Sequence, residues 1–189
     1  LAVDIHVGLN GLDWAVRQFP DKPVIYVLGN HEYYGKAIPR FTEKLREFAQ
    51  GTNVHILEQE SLSLDGVTFL GTTFWTDFEL FGAPRIAGYE ATQKMTDYKK
   101  IRVSPKYSRL RSIDTAVIHH RSKRWLKGRL EETAGDVVVV THHAPSRKSL
   151  PAAKHDDLMS AAYVSDLDTF VEESQASLWI HGHLHAPSD

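Results

Sequence analysis

Three apolar runs punctuate this chain, and each ends in polar residues. Val24-Ile25-Tyr26-Val27-Leu28 runs into Gly29-Asn30-His31-Glu32. Val137-Val138-Val139-Val140 is followed by Thr141-His142-His143, and Leu178-Trp179-Ile180 by His181-Gly182-His183-Leu184-His185. Short, β-rich runs of this kind read as buried strands. Gly29 lets the backbone turn sharply at the end of the first. Ligands in α/β proteins collect at the carboxyl ends of strands. Three strands ending in His or Asn therefore predict one polar site built from strand ends.

The spaces between these runs carry helical spacing. Leu1-Ala2-Val3-Asp4-Ile5 looks like the tail of a strand that ends in a carboxylate. Leu12, Ala15, Val16 and Phe19 then recur at helical intervals, with Asn10 as the expected cap. Strand, helix, strand in that order predicts a parallel βαβ unit. Phe41, Leu45, Phe48 and Ala49 mark a second helix, ended by Gly51. Residues 54–57 form a short strand, and residues 61–70 read as a hairpin around Asp65-Gly66. Residues 71–111 are the least regular stretch, and a segment this long without regular structure is a functional loop in most compact domains. Trp75 and Phe78 are expected to be buried there. A long helix is predicted over residues 114–132, with Ile113, Val117, Ile118, Trp125, Leu126 and Leu130 on its apolar face. Ser165 with Asp168 reads as a capping box that opens a last helix, with Leu167, Phe170 and Val171 inward.

Composition narrows the chemistry. The 189 residues are enough for one domain with its own core, and no repeat or second domain is visible. There is no cysteine, so any metal must be held by His, Asp, Glu or Asn. No apolar run approaches a membrane-spanning length, and no signal peptide is visible. The net charge is −2, but it is unevenly spread. Eleven Lys or Arg residues and one acid, Asp114, lie between Lys99 and Arg129, so the rest of the chain is acidic. That basic stretch is either a solvated helix face or a flank that attracts phosphorylated substrate or nucleic acid.

The polar residues at the strand ends are Asp4, Asn30, His31, His142, His143, His181, His183 and His185. A carboxylate can bridge two divalent ions, imidazole suits zinc, iron or manganese, and an amide oxygen adds a neutral ligand. His183 and His185, two apart in a turn with Gly182, could approach neighbouring ions from one loop. Two ions about 3.5–4 Å apart clamp both ends of an in-line displacement at phosphorus, with a hydroxide between them as the nucleophile. His6, His55, His119, His120 and His155 read as surface or packing residues. His143 and His181, each beside a candidate ligand, either orient it or touch substrate.

Gly29-Asn30-His31-Glu32, Thr141-His142-His143-Ala144-Pro145 and Gly182-His183-Leu184-His185 resemble, in order and spacing, three successive motifs of the calcineurin-like metallophosphoesterases. Asp4 resembles the bridging aspartate of that family. The resemblance covers essentially the whole chain. It implies a four-layer αββα sandwich of two mixed sheets, and metal-dependent hydrolysis of phosphate mono- or diesters. It also implies roles. Asp4 would bridge two metals, Asn30, His142 and His183 would complete one site, and His185 would belong to the other. His31 would be catalytic, contacting the phosphoryl oxygens as a charge stabiliser or proton donor. Manganese is favoured over iron or zinc.

Two departures qualify the resemblance. The family's Asp-x-His motif on the first strand has no counterpart before Asp4, so residues 1–189 are expected to be a single domain that is amino-terminally incomplete and lacks its first strand. Val3 stands where the family usually has glycine. A metal-binding fragment without useful turnover is the first alternative, and a nuclease or nucleic-acid-binding protein is the second. The expected partner is a small phosphoester, with a nucleotide among the options and nucleic acid less favoured. No membrane partner is expected, the expected location is cytoplasmic, and oligomers are an option, through the sheet edge that a missing first strand would leave.

Overall fold

The computed structural model describes residues 1–2 and 4–185. Val3, which stands where the family usually has glycine, lies outside the described residues. The chain folds as α/β in four layers. The first is made by α1 (Asn10–Gln18) and α2 (Arg40–Ala49), and the second by β1 (Val24–Tyr26) with β3 (Val54–Ile56), paired in parallel. The third is a mixed sheet in the order β4-β5-β8-β9: β4 (Glu60–Leu64), β5 (Val67–Thr72), β8 (Val137–Thr141) and β9 (Leu178–Ile180). β4 is antiparallel to β5, whereas β5, β8 and β9 are parallel. The fourth layer is α5 (Ser112–Glu132).

Alternation along the strands creates the layers. Val137 and Val139 point one way on β8 and pack with Leu70, Leu126 and Leu130 under α5. Val138 and Val140 point the other way, onto Val27 and Leu57 at the ends of β1 and β3. Period-two side-chain direction makes one all-valine strand serve two cores. On the outer side of β1, Val24, Tyr26 and Leu28 meet Leu12, Ala15, Phe41 and Leu45 of the first-layer helices. Leu45 is fully buried, which stabilises the fold by about 1.5–3 kcal/mol. The two sheets approach closely at Gly71, where a Cβ would stand 2.4 Å from Leu57 Cβ.

Of the expected βαβ unit, α1 and β1 form, and Leu1 bonds along β1, but residues 1–2 and 4–5 are not a regular strand. The Val27 N–H donates to Leu1 O at 2.9 Å, on the side of β1 away from β3. The hairpin turns through Asp65 (φ 49°) and Gly66 (φ 84°), the left-handed pair that an Asp-Gly turn requires. Trp75 and Phe78 are buried.

Residues 71–111 are more regular than the sequence suggests. They contain α3 (Pro84–Lys94) and α4 (Asp97–Lys100). β6 (Arg102–Val103) is parallel to β2 (Ala37–Ile38) and antiparallel to β7 (Ser108–Arg109). Helix α3 buries Ala87, Gly88 and Ala91 and exposes Ile86 and Tyr89, so its inward stripe is small rather than apolar in pattern. Gly88 sits where a Cβ would meet Ser112 Oγ at 2.8 Å, at the start of α5. The long helix buries Thr115, His119 and Ser122 with Leu126 and Leu130, while Ile113 and Val117 face solvent. Two expected caps do not form. Asn10 lies inside α1 and contacts His6 Nδ1, and the Ser165 hydroxyl is buried without a partner while α6 (Asp168–Glu172) starts after Leu167. Among the described residues no helix is long and apolar enough to cross a membrane.

Candidate metal centre

Each candidate ligand sits just beyond a parallel strand or strand-like segment. Asp4 follows the stretch beside β1, Asn30 follows β1, His142 follows β8, and His183 and His185 follow β9. Parallel strands end at the same edge, so residues from positions 4 to 185 meet in one place.

A buried carboxylate ties two of these turns together. Glu32 accepts from the N–H groups of Ile5 and His6 with Oε1 and from the Gly29 N–H with Oε2, and Tyr26 donates its hydroxyl to Oε1 at 3.0 Å. Burial raises the Glu32 pKa and the nearby Asp4 charge raises it further, against the pull of the donors. Gly29 is needed for closeness rather than for an unusual φ. A Cβ there would lie 1.9 Å from Asp4 Oδ1 and 2.7 Å from His142 Cε1.

The donor atoms converge. His142 Nε2 is 3.0 Å from Asn30 Oδ1, 3.0 Å from His183 Nδ1 and 3.5 Å from Asp4 Oδ1. His142 Nδ1 is 3.0 Å from Ala2 O, a carbonyl, so Nδ1 carries the proton and Nε2 a lone pair. Asn30 donates through Nδ2 to Asp97 Oδ1 at 2.8 Å, which turns its Oδ1 inward. Tyr34 donates to the same Asp97 oxygen at 2.8 Å. Burial lowers the pKa of His142 and holds His183 well below the usual histidine range, so both rings are neutral at pH 7. An amide oxygen, a carboxylate oxygen and an imidazole lone pair thus face one another with no proton between amide, carboxylate and His142. His183 Nε2 is also buried without a partner. A divalent cation satisfies such a cluster, and this mixture of oxygen and imidazole donors suits manganese, iron or zinc.

The other expected residues surround this cluster. His31 stands at its mouth, with a 42% exposed side chain, Nδ1 3.5 Å from Asp4 Oδ2 and its ring against Tyr34. His185 is exposed and lines the same cavity, about 660 Å³ in volume, which Lys94, Lys154 and Tyr163 also line. His183 and His185 both adopt left-handed backbone conformations (φ 68° and 54°), uncommon for a side-chain-bearing residue and typical of constrained sites. His143 is buried behind the cluster, with Nδ1 3.1 Å from Thr73 O and its ring 4.2 Å from that of His183. His181 turns away and bonds Ser149 Oγ.

Sequence reasoning missed Asp97, Tyr34 and Tyr163. Asp97 is 67 residues from Asn30, inside the stretch read as irregular. Tyr163 stacks on His183 at 4.8 Å. The basic stretch is partly spent on its own helix, where Arg111 pairs with Asp114 and Arg129 with Glu132. Lys100 reaches the site's edge, 5.2 Å over the Tyr34 ring.

The family described as calcineurin-like phosphoesterase matches residues 7–187. An uncharacterized protein of Acanthamoeba polyphaga mimivirus is 24% identical over 200 residues, covering 95% of this chain and 69% of that protein. No solved structure matches the chain.

Proposed function

The chain belongs to the calcineurin-like phosphoesterase family, whose members depend on divalent metal and act on phosphoesters, and from that premise we propose that it hydrolyses small phosphate mono- or diesters at the Asp4–Asn30–His142–His183 centre. The carrying observation is that the Asn30 and Asp4 oxygens meet the His142 Nε2 lone pair. Asp4, Asn30, His142 and His183 would hold one ion, and Asp4 with His185 would face a second. Manganese is the favoured metal, since amide and carboxylate oxygens stand beside imidazole in the donor set. Divalent ions held there would supply Lewis acidity to the phosphoryl oxygens and would ease the deprotonation of water.

The chain's own groups do the rest. Asp97 fixes the Asn30 amide so that oxygen, not nitrogen, faces the centre. Glu32 holds the Asp4 and Gly29 turns together. His31, at the mouth, contacts the phosphoryl oxygens and gives a proton to the departing oxygen. Lys94 and Lys154 line the cavity that would seat the ester, each paired with an acid, Glu90 or Asp157.

The test is a panel of chromogenic phosphate mono- and diesters, assayed with manganese and after chelation. Turnover that requires metal, and falls with Asn30→Ala, supports the reading. Stoichiometric metal binding with no turnover on the panel would favour a metal-binding protein instead. Turnover unaffected by chelation would overturn the role given to the centre.

A further inference from the structure

A second group of metal-ligating side chains lies outside this centre, on different elements. Asp77 is in the loop between β5 and α3, and His119 and His120 are on α5. One ligating atom from each lies within 4.8 Å of the other two. His119 has no exposed side-chain surface and the Asp77 side chain is 10% exposed, while His120 faces solvent. Adjacent histidines on a helix point about 100° apart, so the pair spans the boundary between core and solvent.

His119 is not satisfied as a packing residue. Its Nδ1 is 3.2 Å from Trp75 O, a carbonyl, so Nδ1 carries the proton and Nε2 the lone pair. Nε2 is buried without a hydrogen-bond partner and faces Asp77 Oδ2 at 3.5 Å, acceptor against acceptor. Protonating the ring would relieve this, but burial lowers the His119 pKa against the pull of Asp77. Asp77 is pre-set for the same position. Its Oδ1 accepts from the Glu79 N–H at 3.1 Å, and Phe78, buried at φ 65°, locks the turn. Two ligands at tetrahedral zinc, each about 2.0–2.1 Å from the ion, stand about 3.3–3.4 Å apart. The observed 3.5 Å already matches that edge. The nearby Lys123 puts its ammonium over the Phe170 ring at 5.8 Å.

We propose that Asp77, His119 and His120 form a zinc-type cation site, separate from the phosphoesterase centre, with solvent as the fourth ligand beside His120. Its role is structural. The loop it would pin to α5 carries Trp75, whose ring lies 5.0 Å from that of His143, and His143 packs against His183. An ion there fastens the wall behind the metal centre without touching substrate. The site stands on its own residues and not on the proposed reaction.

Zinc binding by the full chain tests it, measured by elemental analysis after dialysis and by the visible absorption of a cobalt(II) substitute. Wild type should hold one zinc more than either His120→Ala or Asp77→Asn, and zinc should raise its melting temperature more than theirs. Asn30→Ala, altered only in the other centre, should keep this zinc and the four-coordinate cobalt spectrum. His120 is exposed, so His120→Ala decides the matter even if Asp77→Asn folds poorly. Zinc stoichiometry, cobalt spectrum and zinc-dependent melting all unchanged in His120→Ala would overturn the proposal.

Discussion

Asn30 donates from Nδ2 to Asp97 Oδ1 at 2.8 Å, and by that bond presents its own Oδ1 to His142 Nε2 at 3.0 Å. An asparagine amide is nearly symmetric in shape, so only a partner decides which end faces a cation. Partners that orient ligands in this way are worth about 10–100-fold in metal affinity. Asp97→Ala is expected to weaken manganese binding by about that factor. Tyr34→Phe, which removes only the second donor to Asp97, should weaken it less. Metal titration of the two variants checks the order, and equal affinities across wild type and both variants would remove Asp97 from the centre.

His31 differs from the buried strand-end histidines His142, His143 and His183 in being half exposed at the mouth. Its loss should leave the ligand cluster intact. His31→Ala is expected to lower kcat by about 10²–10⁴ with unchanged metal content. Loss of metal in that variant would make His31 a ligand instead.

Gly29 leaves no room for a side chain. In Gly29→Ala the new methyl would overlap Asp4 Oδ1 and crowd His142 Cε1. Overpacking of this kind costs about 1–3 kcal/mol. A lower melting temperature together with metal loss is expected. Metal bound as tightly as in wild type would show that the two ligands can move apart freely.

Glu58 gives a pH signature away from the metal centre. Its buried carboxyl accepts from the Thr72 hydroxyl and from the Thr73 N–H and hydroxyl. Burial raises its pKa above the ordinary 4.5, against the pull of those donors. The folded state therefore holds the proton more tightly than the unfolded chain. Stability from this group is fully present below about pH 4.5 and is lost as pH rises through the folded pKa. Glu58→Gln does not titrate, so the stability of wild type relative to the variant should shrink as pH rises over that window. Denaturant melts across pH measure it. A difference that widened with pH would mean the donors outweigh burial.

The sequence makes strands and ligands legible for one reason: apolar runs stop where polar residues begin. Val137 to Val140 is unmistakable because both its faces are covered. Helix α3 is not legible, since small residues face inward and Ile86 and Tyr89 face out, inverting the usual contrast. Asp97 is hidden for a related reason, standing on a four-residue helix with no periodicity to mark it. The reading of Gly29 finds the right residue with the wrong cause, because crowding by a partner distant in sequence leaves no local trace. His119 and Asp77 also look unremarkable in sequence, and only burial without a partner singles them out.

The Glu32 carboxylate, holding Ile5, His6, Gly29 and Tyr26 at once, has a consequence for the order of events during folding. The turn after Asp4 and the turn after β1 are also joined directly, since the His31 N–H donates to Asp4 Oδ1 at 3.0 Å. Until the first segment lies beside β1, Glu32 keeps the Tyr26 and Gly29 donors but lacks those of Ile5 and His6, which leaves its charge less well compensated. The amide protons of Ile5, His6 and Gly29 should then exchange with solvent as one unit, opening and closing together. The metal centre is in that sense a late product, completed when donors from both turns have reached one carboxylate.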